Sequence, residues 1–170
     1  MDLQGQVILI TGASSGIGMA AARLLGPSKA DLVLAARSEG RLRQLAQEIE
    51  ARGGSALPVT ADFAREEGID RAFEVIRCTY GHLDVLVNSA GLGVYDLVRD
   101  GKTQDWRRMM DLNLFGLMYA GQQALRLMLP QKRGHIINVS SVAGGLGRVR
   151  GDEVGREWLQ RHPTPGGLQG

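Results

Sequence analysis

Several protein classes are excluded by what this chain lacks. It has one cysteine, Cys78, so no disulfide can form within it, and a reducing compartment suits it. The place of Cys78 in a helical pattern points to packing rather than to a reactive thiol. No segment approaches the roughly 18 unbroken apolar residues of a membrane span. The start, Met1-Asp2-Leu3-Gln4-Gly5, lacks the basic-then-apolar order of a secretory signal. Charge of one sign is scarce too: the net value is +2 and the arginines are scattered, which argues against a nucleic-acid-binding face. His82 and His135 have no metal-ligand spacing, so no metal is expected. A soluble, cytoplasmic protein is the expectation, and 170 residues suffice for one domain with a real core.

What is present alternates. Val7–Ile10 reads as a buried strand and Met19–Leu25 as a helix stopped by Gly26-Pro27. Leu32–Ala36 is a second apolar run. Leu42, Leu45 and Ile49 share one helical face, and Gly53-Gly54 ends that helix. Ala56–Thr60 predicts a third strand, which Pro58 pushes towards a sheet edge. Ile69, Ala72, Phe73 and Ile76 form the next stripe, Val85–Val87 the fourth strand, Trp106–Leu129 a long helix, and His135–Val139 the fifth strand. Parallel strands need crossover connections, so this order argues for a parallel sheet with helices on both faces. In such a sheet the ligand lies beyond the carboxyl ends of the strands, where strand order reverses.

The first strand runs into Thr11-Gly12-Ala13-Ser14-Ser15-Gly16-Ile17-Gly18. Glycines there let the main chain come close to a ligand, and the free N–H groups of the next helix face negative charge. This is how a chain holds a pyrophosphate. Arg37 follows the second strand, where an acid would favour the ribose hydroxyls of NAD and an arginine accommodates the 2′-phosphate of NADP.

The G-x-x-x-G-x-G spacing behind Thr11, together with Asn88-Ser89-Ala90-Gly91 and Gly134–Ser141, resembles the short-chain dehydrogenase/reductase family. A methyltransferase with a related sheet fits these motifs less well. The resemblance implies a doubly wound parallel sheet of the Rossmann kind, incomplete at about five strands, as an α/β fold. It implies a cofactor loop of Gly12, Ser14, Ser15, Gly16, Ile17 and Gly18, with NADP favoured over NAD through Arg37. Ser15 stands where many NADP-preferring members carry a basic residue. Asp62 becomes an adenine contact, although a cap for the following helix explains it equally well. Asn88, Ala90 and Gly91 belong to the cofactor cleft, and Asn88 can also bond neighbouring strands. Asn113 matches the family's helix-distorting relay residue, and Ser141 the serine that bonds the substrate oxygen. The implied activity is hydride transfer between the nicotinamide and a small-molecule carbonyl or alcohol.

The family pattern then breaks. A tyrosine about thirteen residues after that serine, and a lysine four further on, are expected; here those positions hold Val154 and Trp158, and no Tyr or Lys follows Ser141. The resemblance covers about residues 3–147. Residues 148–170, rich in Gly and Pro at their end, read as a divergent, disordered or loosely attached tail. Truncation, alternative splicing or a shifted frame would each produce such a break. The alternative to an oxidoreductase is an inactive form that binds nucleotide weakly or pairs with a full-length relative. On either reading the fifth strand is left as an uncovered apolar edge, which predicts poor solubility or dependence on a partner.

Overall fold

The computed structural model describes residues 3–94, 96 and 99–140. Met1–Val139 form one compact unit; of a second, Ser140–Gly170, only Ser140 is described. Ser141 and the tail therefore lie outside the described residues.

Five strands form one parallel sheet: β1 (Val7–Thr11), β2 (Asp31–Ala36), β3 (Ser55–Thr60), β4 (Val85–Asn88) and β5 (His135–Asn138). Their order is β3-β2-β1-β4-β5. The chain winds outward from β1 to β3, then crosses back and winds the other way, so the sheet is doubly wound. Order reverses between β1 and β4, which pair through Ile8–Val85, Leu9–Leu86 and Ile10–Val87.

Strand β1 is buried along its whole length. Successive side chains point to opposite faces, so its residues serve two separate cores. Val7 and Leu9 pack in one with Ile69, Phe73 and Ile76 of α3 (Glu66–Thr79) and with Ala120, Ala124 and Met128 of α5 (Leu117–Met128). Ile8 and Ile10 pack in the other with Ala22 of α1 (Gly16–Leu25) and with Leu42, Leu45 and Ile49 of α2 (Glu39–Glu50). A strand buried on both faces must be apolar throughout, as Val7–Ile10 is.

Element ends follow local chemistry. After α1, Gly26–Ser28 make a short 3-10 turn and Lys29 takes a left-handed φ of 59°. At the end of α2, Gly53 takes φ +80° while Gly54 N–H donates to the Ile49 carbonyl. Pro58 does sit in an edge strand, β3. The long helix expected over Trp106–Leu129 is three pieces: α4 (Thr103–Met110), a π-helical turn at Asp111–Gly116, and α5. No helix among the described residues is long and apolar enough to cross a membrane. Cys78 is exposed rather than packed, because it falls on the outer face of α3. Its thiol lies 3.3 Å from a Glu74 carboxylate oxygen, and that bond pushes its pKa up.

The fifth strand is the second edge among the described residues, with Ile136 and Ile137 37% and 51% exposed.

At the amino ends of the strands, buried Asp84 ties three segments together. It accepts a hydrogen bond from the Val7 N–H at 3.0 Å and contacts Arg133 Nε at 3.2 Å and His82 Nε2 at 3.3 Å. Asp84→Ala leaves the Val7 N–H buried without an acceptor, a loss of about 1–3 kcal/mol. For a chain of this size that lowers Tm by about 2–4 °C per kcal/mol, which calorimetry reads directly.

Candidate active site

The carboxyl ends of β1 and β4 are held side by side by one hydroxyl. Thr11 Oγ1 accepts from the Ser89 and Ala90 N–H groups, both at 3.0 Å, and donates to the Val87 carbonyl at 3.4 Å. Beyond this junction the two loops separate and a cavity of about 810 Å³ opens. Its floor comes from the turn after β1 (Gly12, Ser14, Ser15, Gly16, Ile17) and from Ser89, Ala90 and Gly91 after β4. Its far end is walled by Ala36, Arg37, Ser38 and Arg41 after β2 and by Ala61, Asp62 and Phe63 after β3.

The three glycines of the turn do different jobs. A Cβ on Gly12 would lie 2.8 Å from Ala90 Cα, and one on Gly18 would lie 2.7 Å from the Gly12 carbonyl oxygen. Both are therefore required by the protein's own packing. Gly16 has φ +54° and open space where a Cβ would stand, so it serves the shape of the turn and leaves room above it. At the start of α1, Ser15 is extended and its hydroxyl makes no capping bond, and the first turn contains no acid. The helix's first N–H groups thus lack a side-chain acceptor, and its positive dipole end faces the cavity. Ile17, 63% exposed, adds an apolar surface to the same wall.

Other expected residues sit less directly. Asn88 is buried behind the cavity, where its Nδ2 donates to Asn138 Oδ1 at 3.0 Å and joins β4 to β5. It does not line the cavity, and neither does Gly18. Asp62 does line it, but does not cap α3, which begins at Glu66. Its Oδ1 instead accepts from the Ala64 N–H at 3.1 Å and shapes the loop between. Asn113 lies within the π-helical turn, so the expected helix distortion is present at this residue. Its amide makes a two-point clamp on one backbone unit: the Leu92 N–H donates to Oδ1 at 2.9 Å, and Nδ2 donates to the Leu92 carbonyl at 2.8 Å. The same turn brings Gly116 so close to the Phe63 carbonyl oxygen that a Cβ would lie 2.0 Å from it. One short segment therefore seats the loops after both β3 and β4.

No described tyrosine lines the cavity. Tyr119 donates to Asp70 at 2.8 Å, and that bond pushes its phenol pKa up; burial, then the charge of Asp31, does the same for Tyr80. Both shifts run against proton exchange near neutral pH. Ser38, Arg41, Phe63 and Leu112 line the cavity without any motif that marks them in the sequence, whereas Thr11 is marked there by its place before the glycine turn.

Residues 6–152 match the family model described as short chain dehydrogenase. The chain belongs to the short-chain dehydrogenase family. The match runs a few residues past position 147, where the motifs stop. An uncharacterized oxidoreductase of Staphylococcus aureus (strain USA300) is 36% identical over 142 residues, which cover 84% of this chain and 61% of that protein. A Staphylococcus epidermidis counterpart is 38% identical over 139 residues, covering 82% of this chain and 59% of that one. The chain thus spans about three fifths of these relatives. Among solved structures, a metagenomic short-chain oxidoreductase in complex with NADP superposes with a TM-score of 0.83 at 34% identity, over 95% of this chain and 80% of that one. L-sorbose reductase from Gluconobacter frateurii, complexed with NADPH and L-sorbose, gives 0.79 at 33% identity, over 84% and 55%.

Two substitutions probe the site's frame. Thr11→Val keeps the shape but leaves the Ser89 and Ala90 N–H groups without their acceptor, and should cost about 1–3 kcal/mol. Gly116→Ala should cost about 1–3 kcal/mol through overpacking against Phe63. Denaturant midpoints measure both, and an unchanged midpoint for either contradicts the contact it removes.

Proposed function

We propose that this chain is an NADP-preferring nucleotide-binding unit of an oxidoreductase acting on a carbonyl or alcohol, and that its own turnover is weak. One observation carries the binding half. The groove at the point of strand reversal joins an uncapped helix start at one end to Arg37 at the other. Those residues fit a 2′-phosphorylated dinucleotide. The N–H groups of the α1 start bind a pyrophosphate, Gly16 leaves space for it, and Arg37 bonds a 2′-phosphate. Ala90 and Gly91 give a wall of small residues against which a flat ring can lie, and Ile17 covers its other surface. When bound, the nicotinamide of NADP supplies or accepts the hydride. The protein supplies the grip and the orientation.

The proton half of the reaction rests on the sequence. Ser141, outside the described residues, stands where the family bonds the substrate oxygen. The residues at the acid–base and lysine positions are Val154 and Trp158, neither of which acts as an acid or base near neutral pH. Asn113, with its amide on the Leu92 backbone, fixes the loop beside the nicotinamide end rather than replacing that acid. The remaining function is binding, either alone or paired with a second copy or a relative.

Fluorescence titration with NADPH and NADH in parallel tests the first half; tighter binding of NADPH is expected, and equal or absent binding of both would sink it. Cofactor absorbance followed with a panel of aldehydes and ketones tests the second half. A missing general acid lowers the rate by about 10²–10⁴-fold, so turnover at the pace of an intact family member would contradict it.

A further inference from the structure

The adenosine end of the groove holds more positive charge than Arg37 alone. Arg41, on the first turn of α2, lines the same cavity. It also lines a smaller hollow of about 270 Å³ between α1 and α2. The two hollows share Ser14, Ser15 and Arg41, so this side chain stands at their junction. Leu42 and Leu45 are buried in the core on the same helix, while Arg41 is exposed.

Neighbouring charges are arranged so that this one stays available. Arg43 pairs with Glu39, and Arg23 pairs with Glu48 across α1 and α2. Neither Glu39 nor Glu48 lines the main cavity. Among the described residues, Arg37 and Arg41 have no carboxylate partner. Asp62, the one acid lining the main cavity, belongs to the loop after β3. Two guanidiniums on different backbone segments, a strand-end loop and a helix, thus flank the serine side of the groove. Each offers a planar fork of donors suited to phosphate oxygens.

We propose that Arg41 is a second anchor for the adenosine 2′-phosphate, acting with Arg37, and that the pair sets the preference for the 2′-phosphorylated cofactor. The inference rests on the NADP reading above. Ser15, where a basic residue is common in the family, is then compensated by a charge that lines the same two hollows. NADH lacks the 2′-phosphate, so its affinity depends far less on this residue.

The test uses the 170-residue chain and fluorescence titration with NADPH and NADH for wild type, Arg41→Gln, Arg37→Gln and Arg52→Gln. Arg52→Gln removes the same charge outside both cavities. Expected for Arg41→Gln is a loss of roughly tenfold in NADPH affinity, nearly unchanged NADH affinity and a shallower salt dependence, with Arg52→Gln like wild type. NADPH binding by Arg41→Gln equal to wild type, while Arg37→Gln loses it, overturns the role of Arg41 and leaves the NADP reading standing. Equal loss of both cofactors overturns it as well, since Arg41 would then serve the turn rather than the phosphate. A wild type with no preference for NADPH overturns both readings together. Should Arg41→Gln fail to fold, Arg41→Lys carries the same test: charge without the fork gives a smaller, still NADPH-selective, loss.

Discussion

The site depends on two adjacent strands ending together and then being forced apart. Thr11 ties β1 to β4 with three hydrogen bonds from one oxygen, and immediately afterwards Gly12 lets its own backbone lie against Ala90. The strand ends are thus fixed to one another at the point where the loops diverge. A longer side chain at either place would move both loops at once. The groove is a consequence of that pinning, and the direction of α1, and so of its unsatisfied N–H groups, follows from the turn it closes.

A second constraint acts from above. The π-helical turn at Asp111–Gly116 touches the loop after β3 through Gly116 and the loop after β4 through Asn113. An ordinary α-helix would carry one residue fewer in that span and rotate one of those contacts away. The extra residue has a geometric role: it lets a single helix address the loops after β3 and after β4 at once. Rigid placement of these loops before binding reduces the ordering that a dinucleotide would otherwise have to impose.

Much of this was readable in the order of residues, for physical reasons. The apolar run of β1 is buried on both faces, and Pro58 could only stand at an edge, so strands and their relative burial followed from pattern. The glycine spacing located the turn, and Asn113 marked the distorted helix because its amide competes for backbone bonds. What pattern could not supply was side-chain destination. Asn88 reads both as a cleft residue and as a bond between strands, and only the second holds: its amide reaches sideways to Asn138 and it does not line the groove. Asp62 suits a helix cap, but α3 starts too late for it. Cys78 lies in a helical stripe, but one residue of rotation puts it outside. Arg41 was one arginine among several until α2 docked and sorted those that pair with acids from those that do not.

The two borders of the sheet are chemically unlike. On the β3 side, Pro58 withholds an N–H and the loops beyond the strand are already committed to the groove. On the β5 side, ladder groups and two isoleucines face outward, and no β5 residue touches the groove. Among the described residues the apolar open edge therefore lies away from the wall formed after β2 and β3. The β3 wall of the groove and the open β5 border thus occupy opposite flanks of the described sheet.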